Sequence, residues 1–274
     1  MNNIINKYIK IIKNWYLIMY SNVIKSFYIN FNNIIFFLLY FFIIILYNIN
    51  INIITYIICS LHAYFYHYWS HMKISYPFTY GHMYHHYDSK NLFSIILEYL
   101  WEISFTLILL FLKLLLQLEY NIDLWFLNEE GIIHFCIILI FTHQINYTLL
   151  HVNTIHEKHH SNYFTNLCPE LVDLFFCTKS DDEIENYSHV IPNVIIGLII
   201  IYYLKKYWIK LDDNVQLNCK YVFIYGFAGL TILSLFINIF LCNEDLQEYL
   251  KNDLNSFCNK RENIKELEKN KDII

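Results

Sequence analysis

The sequence predicts an all-α, polytopic integral membrane helical bundle, on three observations. Hydrophobic residues make up 57% of the 274 residues and charged residues only 16%, whereas soluble domains are about a quarter charged. Several apolar stretches approach or exceed the roughly 20 residues that a helix needs to span a bilayer. The charged residues gather between and beyond these stretches. An ordinary soluble domain is therefore excluded.

The apolar stretches divide the chain into membrane segments. They lie at about 33–66, 92–118, 131–150, 190–204 and 221–242. The first is too long for one span, and its interruption by Asn48-Ile49-Asn50 predicts two short helices. The last two predict an additional membrane hairpin over 190–242, in which the short first arm leaves a re-entrant or interfacial helix as an alternative.

Charge predicts the orientation of the ends. Residues 1–32 contain four lysines and no acid, so we expect a basic cytosolic or interfacial segment. This segment lacks the features of a cleaved signal peptide. The loop 118–131 is acidic without Lys or Arg, which places it on the opposite, lumenal side. Residues 243–274 form a charged C-terminal tail, for which a solvated helix is expected.

Net charge and cysteine spacing exclude two further classes. The net charge of -5 argues against a nucleic-acid-binding surface. The cysteines form no C-x-x-C pair and are expected to be buried apolar residues, without a disulfide framework or zinc knuckle. They are Cys59, Cys136, Cys168, Cys177, Cys219, Cys242 and Cys258.

Clustered histidines are the feature of this sequence that indicates a chemical function. Eight of the 13 fall in one H-x-x-x-H and two H-x-x-H-H motifs: His67, His71; His82, His85, His86; and His156, His159, His160. Residues at i, i+3 and i+4 share one face of a helix, so each motif directs its imidazoles to one place. Imidazole suits iron, zinc and copper, and eight are too many for one tetrahedral zinc. Two metal ions fit better.

The second and third motifs are separated by two predicted spans. Both therefore return to the same, cytosolic face, where they predict a histidine-rich dimetal-binding cap. His143 lies late in a span and is a further candidate ligand, since an ionisable group at that depth is a functional candidate. His151 is a candidate ligand or supporting group. His62 is expected on another helix face, and His134 and His189 are assigned structural roles.

These motifs resemble the three histidine boxes of the fatty acid hydroxylase / sterol desaturase superfamily, over roughly residues 55–180. Sterol methyl oxidases and sterol side-chain hydroxylases come closest by eye. Further similarity is carried by Pro77 and Tyr80, Glu98-Tyr99, Trp101-Glu102, His143, Asn146-Tyr147, the run from His159 to Asn166, and the run from Leu171 to Thr178.

The chain also departs from the family pattern. Tyr68 stands where many members carry Arg, and Val172 and Cys177 replace the usual Trp and Gly. Met72 follows the second histidine of the first box. The interval from His143 to His156 is shorter than is typical. The hairpin at 190–242 lies beyond the point where most members end.

The resemblance implies that 33–189 is a hydroxylase-like membrane domain with a four-helix core. It implies O2-dependent hydroxylation or desaturation of a sterol or a fatty-acyl or sphingoid lipid at a di-iron centre, in the endoplasmic reticulum membrane. The sequence has no haem, flavin or dinucleotide motif, so electrons would come from outside the chain. The resemblance implies cytochrome b5 and its reductase as the donors. The implied metal ligands are His67, His71, His82, His85, His86, His143, His156, His159 and His160.

Supporting roles follow from residue chemistry. Glu98, Glu102 and Glu157 are candidates for orienting the imidazole N–H groups. An apolar cavity lined by Phe65, Trp69 and Trp101 is expected to admit a lipid tail. The substrate, the choice between hydroxylation and desaturation, and iron against zinc in the isolated protein stay open.

Two alternatives compete with an enzyme. One is a non-catalytic lipid- or metal-binding membrane protein that retains the fold, motivated by the altered Arg, Trp and Gly positions. The other is a metal transporter or zinc-sensing membrane protein. It ranks last, because transporters hold ligands at the bilayer midplane, whereas most of these histidines flank the spans.

Overall fold

A computed structural model describes residues 2–72, 76–87, 92–152, 154–179 and 184–241. These residues are helical with short connections, and no strand occurs among them. The charged tail predicted at 243–274, with Cys242 and Cys258, lies outside the described residues.

The helices follow one another with few long loops. In chain order they are α1 (Asn2–Ile29), α2 (Phe31–Leu46), α3 (Ile53–Ser70), α4 (Tyr76–Tyr87), α5 (Leu92–Tyr120), α6 (Glu129–Ile140), α7 (Ile155–Ser161), α8 (Glu170–Phe176), α9 (Ile191–Trp208) and α10 (Asp213–Leu241). A π-helix, Phe141–Leu149, continues α6, and a 3₁₀ turn, Tyr187–His189, precedes α9.

Membrane-spanning character is confirmed by length and composition. Within the described residues, four helical stretches are long and apolar enough to cross a bilayer: Leu92–Tyr120, Glu129–Leu149, Tyr187–Trp208 and Asp213–Phe236. Helices α1 and α2 form a fifth candidate, bent by 73°. Helix α3, predicted as a short span, is not among these stretches. The described part of the chain is thus all-helical, and its long apolar helices indicate a membrane protein.

The structure fixes two boundaries that the sequence predicted, the break before α3 and the start of α10. The break at Asn48-Ile49-Asn50 is confirmed, because α2 ends at Leu46 and α3 begins at Ile53. Asn52 caps α3, its side chain accepting a hydrogen bond from Thr55 N at 2.7 Å. Helix α10 begins at Asp213, eight residues before the predicted apolar arm. The first two turns of α10 are polar and precede the apolar stretch. A hydropathy pattern therefore does not include them.

A polar corner fixes the bend between α1 and α2. Asn30 Nδ2 donates to Glu185 O at 2.9 Å, and Tyr187 N donates to Asn30 Oδ1 at 2.8 Å. At the middle of α1, Trp15 Nε1 donates to Phe175 O at 2.9 Å. These bonds tie the N-terminal helix to the segment that follows the third histidine motif.

Helix α5 is the centre of the bundle and packs on α3, α4, α6 and α10. The main core joins apolar side chains of α3, α5, α6 and α10, among them Ala63, Trp101, Phe105, Phe135 and Ile224. Helix α9 approaches α6 closely at Gly197, where an added Cβ would lie 2.8 Å from the His134 ring. The bundle thus fixes α5 against the helices that carry the histidines.

The cysteine prediction is partly wrong. The five described cysteines are free thiols, and Cys59 and Cys136 are buried as predicted. Cys168 is half-buried, whereas Cys177 and Cys219 are exposed. Cys177 ends α8 with a left-handed φ of 56°, and Cys219 lies in the second turn of α10. An apolar side chain in a membrane helix can face outward as readily as inward.

Candidate metal centre

Three helices present the histidine motifs to one another. His67 and His71 lie at the end of α3, the second motif fills the end of α4, and the third lies on α7. Helix α4 is kinked at Thr79, whose Oγ1 donates to Ser70 O at 3.0 Å. This bond fixes the start of α4 against the end of α3, so that their histidines converge.

The imidazoles form two groups. The first group, defined by one ring nitrogen from each residue with all of them within 4.8 Å of one another, is His67, His71, His82, His86 and His159. The second group is His85, His156 and His160 by the same distance. His143 joins it, because His143 Nε2 lies 3.0 Å from His156 Nε2. The nine predicted ligands therefore lie together in two adjacent sets.

The ring nitrogens have the environment of metal ligands. Within the described residues, seven are buried without a hydrogen-bond partner: His67 Nε2, His71 Nδ1, both nitrogens of His85, both of His86, and His159 Nε2. A buried polar atom left unpaired is costly and calls for a partner such as an ion. The donors of the two groups are imidazoles, which suit iron or zinc, and the Glu98 carboxylate lies within the same 4.8 Å of ring nitrogens of His85 and His143.

Contacts between ring nitrogens agree with this assignment. His71 Nε2 and His82 Nε2 are 3.1 Å apart, and His156 Nε2 lies 2.9 Å from His160 Nε2. Two nitrogens bound at about 2.1 Å to one ion, at a right angle, are about 3.0 Å apart. Both groups thus fit an ion that binds several imidazoles.

Two buried carboxylates of α5 contact the outer nitrogens of the rings. Glu98 Oε1 and Oε2 lie 3.0 and 3.1 Å from His82 Nδ1. Glu102 Oε1 contacts His143 Nδ1, and Gln144 Nε2 donates to Glu102 Oε2 at 2.9 Å. A carboxylate that accepts the Nδ1 proton leaves Nε2 free as the ligand atom. The structure therefore places Glu98 and Glu102 where the sequence suggested.

Two backbone carbonyls also contact Nδ1 atoms of the rings, and the sequence did not predict them. Leu167 O lies 2.6 Å from His67 Nδ1, and Thr165 O lies 2.8 Å from His159 Nδ1. Asp173 holds this loop, since its carboxylate accepts from Leu167 N at 3.0 Å and Cys168 N at 2.8 Å. The run Asp173-Leu174-Phe175-Phe176 after the third motif was the available signal.

Burial keeps the imidazoles neutral. Loss of water, and then the neighbouring rings, lower the pKa of His160 to about 4 and that of His85 to about 2. The same causes hold the pKa of His86 and His159 well below the ordinary value. A neutral ring is the form that binds a metal.

The π-helix shapes the α6 side of the centre. Its wider turns bury Thr142, His143, Gln144, Asn146 and Tyr147, more consecutive polar side chains than one face of an α-helix offers. Such π segments are frequent at functional sites. This winding, which the sequence did not reveal, brings His143 to His156 in spite of the short interval between them.

Other candidate residues lie apart from the two groups. Glu157 does not reach them, because its exposed carboxylate lies 3.6 Å from the exposed His151 ring. His62 faces elsewhere, with Nε2 2.8 Å from Phe105 O. His134 is buried between Tyr56 and Val194 O. His189 lies 3.2 Å from Glu185 at the start of α9.

A small cavity of about 50 Å³ adjoins the histidines. His67, His143 and His156 form one side, and Glu170, Lys179 and Glu185 lie on another. The expected lining by Phe65, Trp69 and Trp101 is wrong for this cavity. Phe65 is 52% exposed, and Trp101 instead stacks on His82 at 4.2 Å.

Comparisons with known proteins identify no relative. No protein-family profile, no curated protein and no solved structure matches this chain.

Proposed function

We propose that the chain is a lipid oxidoreductase of the fatty acid hydroxylase / sterol desaturase type, acting in a membrane. The reaction is O2-dependent hydroxylation or desaturation of a sterol or of a fatty-acyl or sphingoid lipid. The single observation that carries the proposal is the convergence of nine imidazoles in two adjacent groups. The unpaired inner nitrogens and the buried carboxylates behind the rings support it.

Two sets of histidines would hold two iron ions. The first group would bind one ion, and the second group with His143 would bind the other. Iron in these sites would supply the activation of O2 and the oxidation of an unactivated C–H bond. Glu98 and Glu102 contact Nδ1 of His82 and His143, and with the proton on Nδ1 they would leave Nε2 as the ligand atom.

Aromatic side chains shield the centre from water. Trp101 stacks on His82 at 4.2 Å, and Tyr163 stacks on His71 at 5.4 Å. A dry, enclosed site limits side reactions of an oxidant with water. The partners proposed with this function are cytochrome b5 and its reductase, in the endoplasmic reticulum membrane with the histidines facing the cytosol.

One observation favours a non-catalytic metal-binding protein as a second candidate. The cavity beside the histidines holds about 50 Å³, whereas pockets for small molecules measure about 300–1,000 Å³. A lipid chain would enter only after side chains move. A protein that only holds metal needs no such opening.

Elemental mass spectrometry of the detergent-purified protein tests the metal centre. We expect about two iron atoms per chain, as an all-imidazole centre of two groups predicts. The quadruple variant His85→Ala/His86→Ala/His159→Ala/His160→Ala should lose them, and so should His85→Ala or His159→Ala alone. His151→Ala and His189→Ala, which change histidines outside both groups, should keep the parent's metal content. Equal loss in all variants would refute the ligand assignment.

Turnover separates the two candidate functions. Cells that express the parent or the quadruple variant are grown under isotopically labelled oxygen gas, and their lipids are profiled. Label in a hydroxyl group indicates hydroxylation, and a new double bond without label indicates desaturation. A metal-loaded protein that changes no lipid would support the non-catalytic candidate.

A further inference from the structure

A second cavity lies far from the histidines, at the other end of the bundle. It measures about 650 Å³, within the range of about 300–1,000 Å³ typical of ligand pockets. Its walls come from the end of α5, the start of α6, the end of α9 and the start of α10. No part of the proposed oxidation chemistry uses it.

The inner wall of this cavity is apolar. Leu110 and Leu114 of α5 face it together with Ile201 of α9 and Phe223 of α10. Trp125 and Trp208 also line it, and tryptophan is typical of the level where a bilayer meets water. An occupant must therefore bring an apolar chain and a polar end.

Charged residues balance around the cavity. Three ammonium groups and three carboxylates line it: Lys113, Lys205, Lys220, Asp123, Glu129 and Glu130. Lys205 pairs with Glu130 at 3.0 Å, and Lys220 with Glu129 at 3.5 Å. A lining with no net charge gives no preference to a ligand of net charge. It offers both signs to a ligand that carries both.

Lys113 is the most unusual member of this set. It lies seven residues inside the end of α5 and is only 7% exposed. Its ammonium contacts Asp123 at 3.2 Å, and the Asp123 side chain is 63% exposed. A charge at such a position inside a span is a functional candidate by default. Because Asp123 lies at the surface, it can yield the ammonium to another anion at little cost.

We propose that this cavity binds a single-chain zwitterionic phospholipid. The acyl chain packs on the apolar wall, and the phosphate pairs with Lys113. The headgroup ammonium lies toward Glu129 and Glu130, where the tryptophan faces also attract a cation. The site is separate from the histidine centre, and its occupancy does not require oxidation activity.

Alkylation of two cysteines gives a direct test. Cys219 lines the cavity and Cys177 does not, and both are exposed. The full-length protein, in a bulky steroid-based detergent, is treated with a maleimide at increasing concentrations of myristoyl lysophosphatidylcholine. Peptide mass spectrometry then gives each labelling rate. We expect Cys219 labelling to slow severalfold while Cys177 labelling stays constant.

Headgroup and side-chain controls decide the chemistry. Tetradecyl maltoside, which has no charge, and lysophosphatidic acid, which has a net charge, should protect Cys219 at much higher concentrations only. Lys113→Met should weaken the protection roughly tenfold to a hundredfold, the value of a hydrogen-bonded charge, and Lys113→Arg should largely retain it. Lys210→Met, which changes an exposed lysine at the same end, should have no effect.

Two results would overturn the proposal. One is no protection of Cys219 in the parent protein at saturating lysophosphatidylcholine, a result independent of whether any variant folds. The other is equal protection by all three amphiphiles, which would show an unspecific apolar groove.

Discussion

Glu98 Oε1 lies 3.0 Å from His82 Nδ1, and this contact joins the central helix α5 to the second histidine motif on α4. Glu98 is 0% exposed and His82 is 1% exposed. One helical turn later, Glu102 makes the equivalent contact with His143. Two carboxylates on one face of α5 thus contact one imidazole of each histidine group.

Replacing either carboxylate should weaken metal binding. We expect Glu98→Gln and Glu102→Gln to reduce the affinity about tenfold to a hundredfold, because the ring loses the acceptor that fixes its orientation. Competition with a chromophoric chelator measures the affinity. Glu157→Gln is the matched control, since this acid lies next to the third motif but faces the exposed His151. A loss in Glu157→Gln as large as in Glu98→Gln would contradict the assignment.

Acid should destabilise the metal-free protein. Burial lowers the pKa of His160 to about 4 in the folded chain, whereas an unfolded histidine has a pKa of about 6.5. As the pH falls below about 6.5, the unfolded chain takes up protons that the folded chain does not, so stability falls, by about 1.4 kcal/mol per pH unit for each such ring.

Thermal unfolding in detergent, from about pH 8 to about pH 5, measures this dependence. His160→Asn should have a shallower slope than the parent, because one buried ring no longer contributes. A metal-free protein whose unfolding temperature rises or stays constant toward acid would show that the rings are not held neutral in the folded state.

Apolar runs and histidine spacing were sufficient to predict much of this molecule. They placed the break at 48–50, the helical membrane segments and the convergence of motifs that lie about 70 residues apart. Glu98 and Glu102 were predicted because they match acids of the family pattern and because carboxylates orient imidazole N–H groups. Whether the nine imidazoles hold metal stays a prediction.

Other parts of the site had no side-chain signal. The acceptors for His67 and His159 are the carbonyls of Leu167 and Thr165, and every residue has a carbonyl. The π-helix carries His143, which contacts Glu102 of α5 and His156 of α7, and hydrophobic periodicity does not predict such a segment. The burial predicted for Cys219 is wrong, because exposed and core-facing positions of an apolar helix have the same hydropathy.

Cys177→Gly should stabilise the protein. Cys177 has a φ of 56° at the end of α8, in the left-handed region that costs a side-chain-bearing residue roughly 1–2 kcal/mol. Glycine adopts it freely, and we expect a gain of about 1 kcal/mol, seen as a higher unfolding temperature. Cys219→Gly, inside α10, should instead cost a few tenths of a kcal/mol through helix propensity. Changes of the same sign in both variants would exclude a backbone cause.

Gly197→Ala should destabilise the contact between α9 and α6. Its Cβ would lie 2.8 Å from the Cδ2 and Nε2 atoms of His134, a ring held from both sides by Tyr56 and by Val194 O. Because this ring cannot retreat without breaking a buried hydrogen bond, overpacking should cost about 1–3 kcal/mol. Gly226→Ala is the matched control, since nothing lies within 4 Å of its added Cβ, and helix propensity predicts a gain of up to about 1 kcal/mol. Thermal unfolding of both variants beside the parent measures the difference, and equal stability of the two would mean that α9 moves away from α6 at negligible cost.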